Sequence, residues 1–310
     1  MKWLKKGKIC DANSFDLSWY KKNTMVPLPY QISKDVIRVY VTFCDDMNIG
    51  RIGYVDVSAN NPSEILSYSQ KPLVDIGNIG CFDDNGVVTA SVLRDGDILY
   101  LYYSGYQLCV KVPYLIFAGV AASHDNGNTF TKITNSVPML DRISGECGTR
   151  CVPFVLKDNS KYKMWYTADF GSGWVKKESK LMPLYDMKYC ESFSPVNWAN
   201  VPVSTSVSFK NDDEHGIAKC TVWQEDGLFK TIYSIRSLSN GYRLGYGEST
   251  DGHSFERKDE LIGIDVSPSG WDSEMIAFAE RIECNGKVYL FYCGNHYGLA
   301  GMGYAELLEK

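Results

Sequence analysis

The segment Val87-Val88-Thr89-Ala90-Ser91-Val92-Leu93-Arg94-Asp95-Gly96-Asp97-Ile98-Leu99-Tyr100-Leu101-Tyr102-Tyr103 reads as two apolar runs joined by the polar turn Arg94-Asp95-Gly96-Asp97. A third apolar run follows a longer loop at residues 117–123, and the turn His124-Asp125-Asn126-Gly127 leads to a short fourth piece, Thr129-Phe130-Thr131. Asp-Gly and Asn-Gly between such runs are strong hairpin signals, because both residues tolerate the left-handed backbone of a tight turn. The same order returns further along the chain. Cys220-Thr221-Val222-Trp223 precedes the turn Glu225-Asp226-Gly227; residues 229–235, residues 242–249, the turn Asp251-Gly252 and Ser254-Phe255 follow. A single sheet of four short strands cannot bury both faces, so a chain that repeats such a sheet must stack its copies, as propeller blades do.

On either side of that segment the pattern recurs less regularly. Residues 26–30, 36–43 and 51–57 form a first copy, and residues 151–156, 162–166 and 185–190 form a third that ends near Asn197-Trp198. A fifth uses residues 276–284, the turn Asn285-Gly286, and residues 288–293 and 301–307. Residues 1–24 are expected to lend a strand to the last copy. No long helical periodicity appears. The predicted fold is all-β: one domain over residues 1–310, a five-bladed β-propeller of four-stranded antiparallel blades around a central funnel.

With 310 residues and 45% hydrophobic content, the chain can bury a large core. Its 21 Tyr, 13 Phe and 7 Trp suit pleated, half-buried strands. A formal net charge of -5 supplies no basic field for nucleic acid or anionic lipid. The opening Met1-Lys2-Trp3-Leu4-Lys5-Lys6-Gly7 lacks the apolar core of a secretory signal. No run approaches the ~20 apolar residues of a membrane-spanning helix. The ten cysteines lie singly, several in apparent strands (Cys109, Cys190, Cys220, Cys293), with no CxxC pair. Reduced, buried thiols and a cytoplasmic location are therefore expected. Cys147 and Cys151 have no accompanying His or Cys pair, so neither a metal nor a cofactor is expected.

In an up-and-down blade, the entry to the first strand and the loop between the second and third lie on one face. The other turns lie opposite, and here they are short: Asp95-Gly96, Asp158-Asn159, Asp226-Gly227, Asn285-Gly286, Asp125-Asn126-Gly127 and Asp251-Gly252. Their carboxylates belong to turn chemistry. The first set is long and rich in polar and aromatic residues. It holds Asp46 and Asn48, then Asp83 and Asp84, Glu146 and Arg150, residues 169–174, and His215. Arg236, the group Trp271, Asp272 and Glu274, and the run Asn295-His296-Tyr297 complete it. Functional groups concentrate on loops held by a rigid scaffold, which makes this face the candidate site.

At these residues the chain resembles the five-bladed-propeller glycosidases, glycoside hydrolase families 32, 43, 62, 68 and 130. The resemblance extends over essentially the whole chain and includes the Ser-x-Asp-Gly-x-x-Phe/Trp strand endings at residues 123–130 and 249–255. Gly80-Cys81-Phe82-Asp83-Asp84-Asn85-Gly86-Val87 sits where family 130 carries a Glu-Asp-Pro-Arg motif. Leu290-Phe291-Tyr292-Cys293-Gly294-Asn295-His296-Tyr297, followed by Gly303-Tyr304-Ala305, is similar to that family's closing blade. Propellers from bacterial surface-polysaccharide gene clusters are similar too. The resemblance implies a carbohydrate or sugar-phosphate partner. Two departures accompany it. Families 43 and 32 place an Asp on the first strand, where this chain has Val26-Pro27-Leu28-Pro29-Tyr30, and neither Pro nor Arg follows Asp84.

Asp83 and Asp84 precede an apolar inner strand, and one carboxylate raises the pKa of its neighbour, as a general acid requires. An Asx turn ending at Gly86 accounts for the same residues. Glu146 opens the third blade, and Asp272 and Glu274 open the fifth beside Trp271, a ring able to stack on sugar. Glu280 lies inside a strand, where an unpaired carboxylate is costly, so Arg281 or a substrate hydroxyl is expected beside it. Arg150, His215, Lys219 and Arg236 suit a phosphate or a sugar carboxylate, or else balance the acids. Asp46, Asn48, Asn295, His296 and Tyr297 complete the candidate binding set.

Three functions follow. The first is a glycoside hydrolase-like enzyme of bacterial surface-polysaccharide metabolism, with Asp84 or Asp83 as proton donor and Glu146, Asp272 or Glu274 as base. An inverting enzyme needs its carboxyls roughly 6.5–9.5 Å apart. The second is a phosphorylase or transferase that grips phosphate with the cationic set. The third is a glycan-binding propeller without catalysis, favoured by the missing first-blade Asp.

Overall fold

The computed structural model describes residues 1–177, 179–198 and 205–309, and among these the fold is nearly all β-strand. After β1 (Lys2–Cys10), the first group is β2 (Thr24–Ser33), β3 (Val36–Cys44), β4 (Gly50–Ser58) and β5 (Ile65–Tyr68). The second is β6 (Val87–Asp95), β7 (Ile98–Leu108), β8 (Tyr114–Ser123) and β9 (Thr131–Lys132). The third is β10 (Thr149–Asp158), β11 (Lys161–Lys177), β12 (Lys180–Ser192) and β13 (Thr205–Val207). The fourth is β14 (Glu214–Glu225), β15 (Leu228–Ser237), β16 (Arg243–Ser249) and β17 (Glu256–Arg257). The last is β18 (Ala277–Cys284), β19 (Lys287–Cys293), the short helix α1 (Asn295–Gly298) and β20 (Met302–Glu309).

Within each group every strand pairs antiparallel with the next. β1 returns from the start of the chain to pair antiparallel with β20, so the expected loan of a strand is made. Short parallel bridges, Thr149 with Ile116 and Gly216 with Tyr185, tie the second, third and fourth groups into one hydrogen-bonded sheet. The third group departs from expectation at its end. Asn197 and Trp198 lie outside any strand, and the closing strand is β13. Trp198 is instead buried against Tyr162, Met164 and Cys190.

The first strands of the groups touch in sequence: β2 meets β6, β6 meets β10, β10 meets β14, β14 meets β18, and β18 meets β2. Apolar clusters fill the same cyclic order. Leu28 and Tyr40 pack with Leu99, Leu101 and Tyr103; Tyr102 and Val120 with Met164 and Tyr166; Trp165 with Phe229 and Tyr233. Ile232 and Tyr246 pack with Leu290 and Tyr292, and Tyr289 and Phe291 return to Ile37, Val39 and Phe43. Neighbouring residues such as Tyr102 and Tyr103 enter opposite clusters because side chains alternate across a strand. Sheets buried on both faces explain why the strands read as apolar runs.

The repeated turns Ser123-His124-Asp125-Asn126-Gly127 and Ser249-Thr250-Asp251-Gly252 lock neighbouring groups together. Ser123 Oγ accepts the Gly127 amide at 2.8 Å, and the Gly127 carbonyl accepts from Arg38 Nη1 on β3 at 3.0 Å. In the later copy, Ser249 Oγ accepts the Gly252 amide at 2.9 Å, and the Gly252 carbonyl accepts from Trp165 Nε1 on β11 at 2.8 Å. None of the ten cysteines is in a disulfide, and most are buried.

Each first strand also carries a bulge near its start, at Met25/Leu28, Thr89/Ser91, Cys151/Phe154, Ala218/Cys220 and Ala277/Glu280. Four of these bulges hold a non-glycine residue at positive φ: Val26 (51°), Val152 (42°), Lys219 (40°) and Phe278 (54°). Such backbone costs on the order of 1–3 kcal/mol per residue and persists only where its surroundings fix it. Hydroxyls on the preceding group's second strand fix the bulges at Val152 and Phe278, and the unstrained one at Thr89. Ser104 Oγ accepts the Val152 amide at 2.8 Å, Ser234 Oγ the Phe278 amide at 2.8 Å, and Thr42 Oγ1 the Thr89 amide at 3.0 Å.

A tyrosine-walled funnel as the candidate functional site

The bulges shape the floor of a cavity of about 310 Å³ to which all five first strands contribute. Met25 and Val26 come from β2, Val88 from β6, Cys151 and Val152 from β10, Ala218 from β14 and Phe278 from β18. The floor is therefore largely apolar. Its walls are Tyr106 and Tyr114 from the β7–β8 hairpin, Tyr185 from β12, Tyr242 ahead of β16, Tyr297 from α1, and Arg236 near the end of β15.

The wall residues hold one another. The Tyr185 and Tyr242 hydroxyls lie 2.5 Å apart. Tyr106 and Tyr114 meet edge to face with centroids 5.4 Å apart, and Tyr242 meets Tyr297 the same way at 5.9 Å. Arg236 Nη2 donates to the Tyr297 hydroxyl at 3.1 Å, and the guanidinium lies 5.7 Å from the Tyr242 ring. Burial pushes the phenols of Tyr106, Tyr185 and Tyr242 upward, so they stay protonated and able to donate. Burial pulls the other way on Arg236, but the surrounding Tyr185, Tyr242 and Tyr297 oxygens outweigh it and hold the guanidinium charged.

The sequence-predicted acids lie elsewhere. Asp83 is fully buried; its Oδ2 accepts from Lys132 Nζ at 2.5 Å and from the Tyr103 hydroxyl at 3.1 Å. Asp84 Oδ2 accepts the Gly80 amide at 2.8 Å, four residues back, so it braces the loop ahead of β6. Glu146 is buried 2.7 Å from Arg150 Nε and accepts from Tyr166 at 3.1 Å. Asp272 is buried against Lys5 Nζ at 2.7 Å and the Tyr292 hydroxyl at 3.0 Å. Glu280 pairs with Lys219, not with the expected Arg281, whose guanidinium reaches Glu283 and the Trp223 ring. Burial raises the pKa of both Glu146 and Glu280, with their cations opposing it.

The cationic set is likewise dispersed. Arg150 and Lys219 sit in those buried pairs, and His215 donates Nδ1–H to the Pro183 carbonyl at 2.9 Å. His215 Nε2 is buried without a hydrogen-bond partner, and burial lowers the imidazole pKa. Of the four cations, Arg236 alone lines the funnel among the described residues. Trp271 does not offer a free ring: it stacks on Tyr292 at 5.1 Å and covers Gly294 and Gly303. Asp46 and Asn48 sit in the exposed β3–β4 turn. Asn295 braces the loop ahead of β18 by accepting the Glu274 and Met275 amides at 2.8 and 3.1 Å.

A second cleft of about 360 Å³ adjoins the funnel and shares Arg236, Tyr242 and Tyr297 with it; Glu274 and His296 line its outer part, 3.3 Å apart. Five lining tyrosines were not singled out by sequence except Tyr297, since the rest look like ordinary strand aromatics. Asp169 was visible only as part of a loop. It lies opposite Tyr185 in the β11–β12 register, Oδ2 accepts the Gly148 amide at 2.6 Å, and Oδ1 is buried without a partner. Among the described residues no group of three or more His, Cys, Asp or Glu is placed to hold a metal.

No family model matches the chain. A thermostable family-43 glycoside hydrolase superposes with a TM-score of 0.69 at 12% identity, covering 92% of this chain and 88% of that one. The GH43_1 enzyme from Xanthomonas citri, solved with xylose, superposes with a TM-score of 0.64 at 12% identity, covering 94% and 89%. At that identity the likeness concerns the fold, which is the propeller of these hydrolases. In sequence, the chain is 32% identical over 310 residues to the uncharacterized protein Rv1502 of Mycobacterium tuberculosis, covering 99% of each. The chain is thus a glycosidase-like β-propeller protein and belongs to the family of that mycobacterial protein.

Proposed function

We propose that the chain is one five-bladed propeller domain over residues 1–310 and that its axial funnel binds carbohydrate without hydrolysing it. The cyclic contact of the five first strands supports the blade count. The observation that carries the function is the composition of the funnel. Five of its lining residues are tyrosines and one is Arg236, and among the described lining residues none is Asp or Glu. Aromatic rings offer apolar faces to sugar C–H groups, and their hydroxyls hydrogen-bond to sugar oxygens. Hydrolysis by the usual route needs two carboxyls flanking the scissile bond. Here Asp83, Asp84, Glu146 and Asp272 are engaged in ion pairs or turns, and Glu274 is a single exposed carboxylate on the adjoining cleft. A role in bacterial surface-polysaccharide metabolism and a cytoplasmic location rest on the sequence reading alone, and fractionation of the native host tests the latter.

A glycan array followed by calorimetric titration tests the proposal. Oligosaccharide binding that weakens in Tyr297→Ala, with no released sugar, supports it. Turnover that survives Tyr297→Ala and disappears in Glu146→Gln would overturn it.

Asp169 favours a second reading. In this reading inorganic phosphate attacks the anomeric carbon while Asp169, beside Tyr185 and with Oδ1 buried without a partner, serves as general acid toward the leaving glycosidic oxygen, releasing a sugar and a glycosyl phosphate. Phosphate-dependent cleavage lost in Asp169→Asn would select this reading over simple binding.

A further inference from the structure

We propose that the funnel is selective for a sugar unit bearing an oxyanion, a carboxylate or a phosphate ester, seated against Arg236. This inference rests on the reading of the funnel as a sugar site. Several cations of the neighbouring strands and loops are neutralised: Lys5 by Asp272, Arg51 by Asp45 and Asp75, Lys132 by Asp83, Arg150 by Glu146, Lys219 by Glu280, Arg257 by Glu214 and Asp259. Arg236 has no carboxylate within ion-pair distance among the described residues; its side-chain partners are phenol oxygens, Tyr297 at 3.1 Å and also Tyr114 and Tyr185. A guanidinium carries five N–H donors in a planar fork, and these tyrosines leave its charge without a counter-ion, so an oxyanion is the matching ligand.

Position adds to chemistry. Arg236 lines both the 310 Å³ funnel and the 360 Å³ cleft, so its charge stands where a ligand would pass from one to the other. The Tyr185 and Tyr242 hydroxyls, themselves 2.5 Å apart, flank it as neutral donors. The largely apolar floor behind it lowers the local dielectric, which strengthens a charge-assisted hydrogen bond relative to the same bond in water. A neutral sugar would leave that guanidinium partly desolvated and unmatched, which is the physical source of the selectivity. Among the described residues lining the shared cleft, Glu274 alone is a carboxylate, and it is exposed and lies against His296.

Calorimetric titration with D-glucose, D-glucuronate, D-glucose 6-phosphate and inorganic phosphate tests this, on wild type, Arg236→Gln, Arg236→Lys and Tyr297→Ala, with thermal melts to check folding. Glucuronate or glucose 6-phosphate is expected to bind roughly 10–100-fold tighter than glucose. Arg236→Gln erases that preference, Arg236→Lys retains part of it, and Tyr297→Ala weakens every sugar alike. Equal affinity for charged and neutral sugars, or a preference that survives Arg236→Gln, overturns the inference and leaves the sugar site standing. Inorganic phosphate binding as tightly as glucose 6-phosphate, and lost in Arg236→Gln, keeps the oxyanion site and overturns the sugar reading. No binding by any of the four overturns both. Preference for glucuronate over glucose 6-phosphate, or the reverse, separates the carboxylate source from the phosphate.

Discussion

The hydroxyl of Ser104 on β7 accepts the backbone amide of Val152 on β10 at 2.8 Å, across the boundary between two groups of strands. Val152 sits at a φ of 42° and forms part of the funnel floor, so this one bond ties a strained piece of the site to the neighbouring sheet. Ser104→Ala leaves the amide without its partner and is expected to cost about 1–2 kcal/mol, the lower half of the usual range because the amide is only part-buried. Ser104→Thr keeps the hydroxyl and should cost less. Urea denaturation reads both, and a wild-type midpoint for Ser104→Ala would show that the bulge holds itself.

The ion pairs make a sharp contrast with the rim. Glu146→Gln breaks a buried pair and should lower stability by about 3–5 kcal/mol. Glu274→Gln, at an exposed position, should stay within about 0.5 kcal/mol of wild type. The two variants are compared by denaturant midpoint and by sugar affinity in parallel. If Glu146→Gln melts like wild type but loses ligand or turnover, Glu146 belongs to the chemistry after all.

The fold was legible in the sequence because Asp-Gly and Asn-Gly turns punctuate strands whose apolar runs are buried on both faces. Val87 to Asp95 and Ile98 to Leu108 therefore read off almost directly as β6 and β7. The third group's last strand was missed because Asn197-Trp198 imitates a strand ending, whereas Trp198 is buried by packing against Tyr162. The site was less legible. A sequence shows that Asp83, Glu146 and Asp272 lie on loops of one face, but not that Lys132, Arg150 and Lys5 meet them. The Lys5–Asp272 pair spans nearly the whole chain, beyond any local signal. Tyr106, Tyr114, Tyr185 and Tyr242 carry the composition of core aromatics, and only the ring of bulges shows that they face a cavity.

The turn at Asp125 predicts an acid sensitivity. Burial acts upward on its carboxyl, but hydrogen bonds from the Thr129 hydroxyl and amide, Ser123 and the Asn128 amide prevail, and its pKa falls from 3.8 to about 2. A carboxyl lowered on folding stabilises the native state above its unfolded value, and the benefit is lost as pH drops from 3.8 toward 2. Glu191, lowered from 4.5 to about 2 chiefly by Lys161 and Tyr189, acts in the same direction. Asp125→Ala should be less stable at pH 7 and lose less stability between about pH 4 and 2. Denaturation midpoints across that range read the difference, and parallel curves for variant and wild type would refute it.

The start of the chain is predicted to be indispensable. Lys5 on β1 places its ammonium 2.7 Å from the buried Asp272 carboxylate, which also accepts from Tyr292 at 3.0 Å. Trp3 donates its indole N–H to the Ile262 carbonyl at 2.9 Å. Deleting residues 1–10 removes these contacts and leaves β20 as an unpaired edge, an arrangement prone to aggregation. Lys5→Met is milder, because Lys5 is partly exposed and Tyr292 still serves Asp272; it should cost about 3 kcal/mol, the low end for a broken buried pair. Adding Asp272→Asn removes the stranded charge, so the double variant should be more stable than the sum of the two single losses allows. The denaturation cycle over the four proteins measures that coupling. Strictly additive losses would mean that the strand pairing of β1, rather than the ion pair, secures this end of the chain.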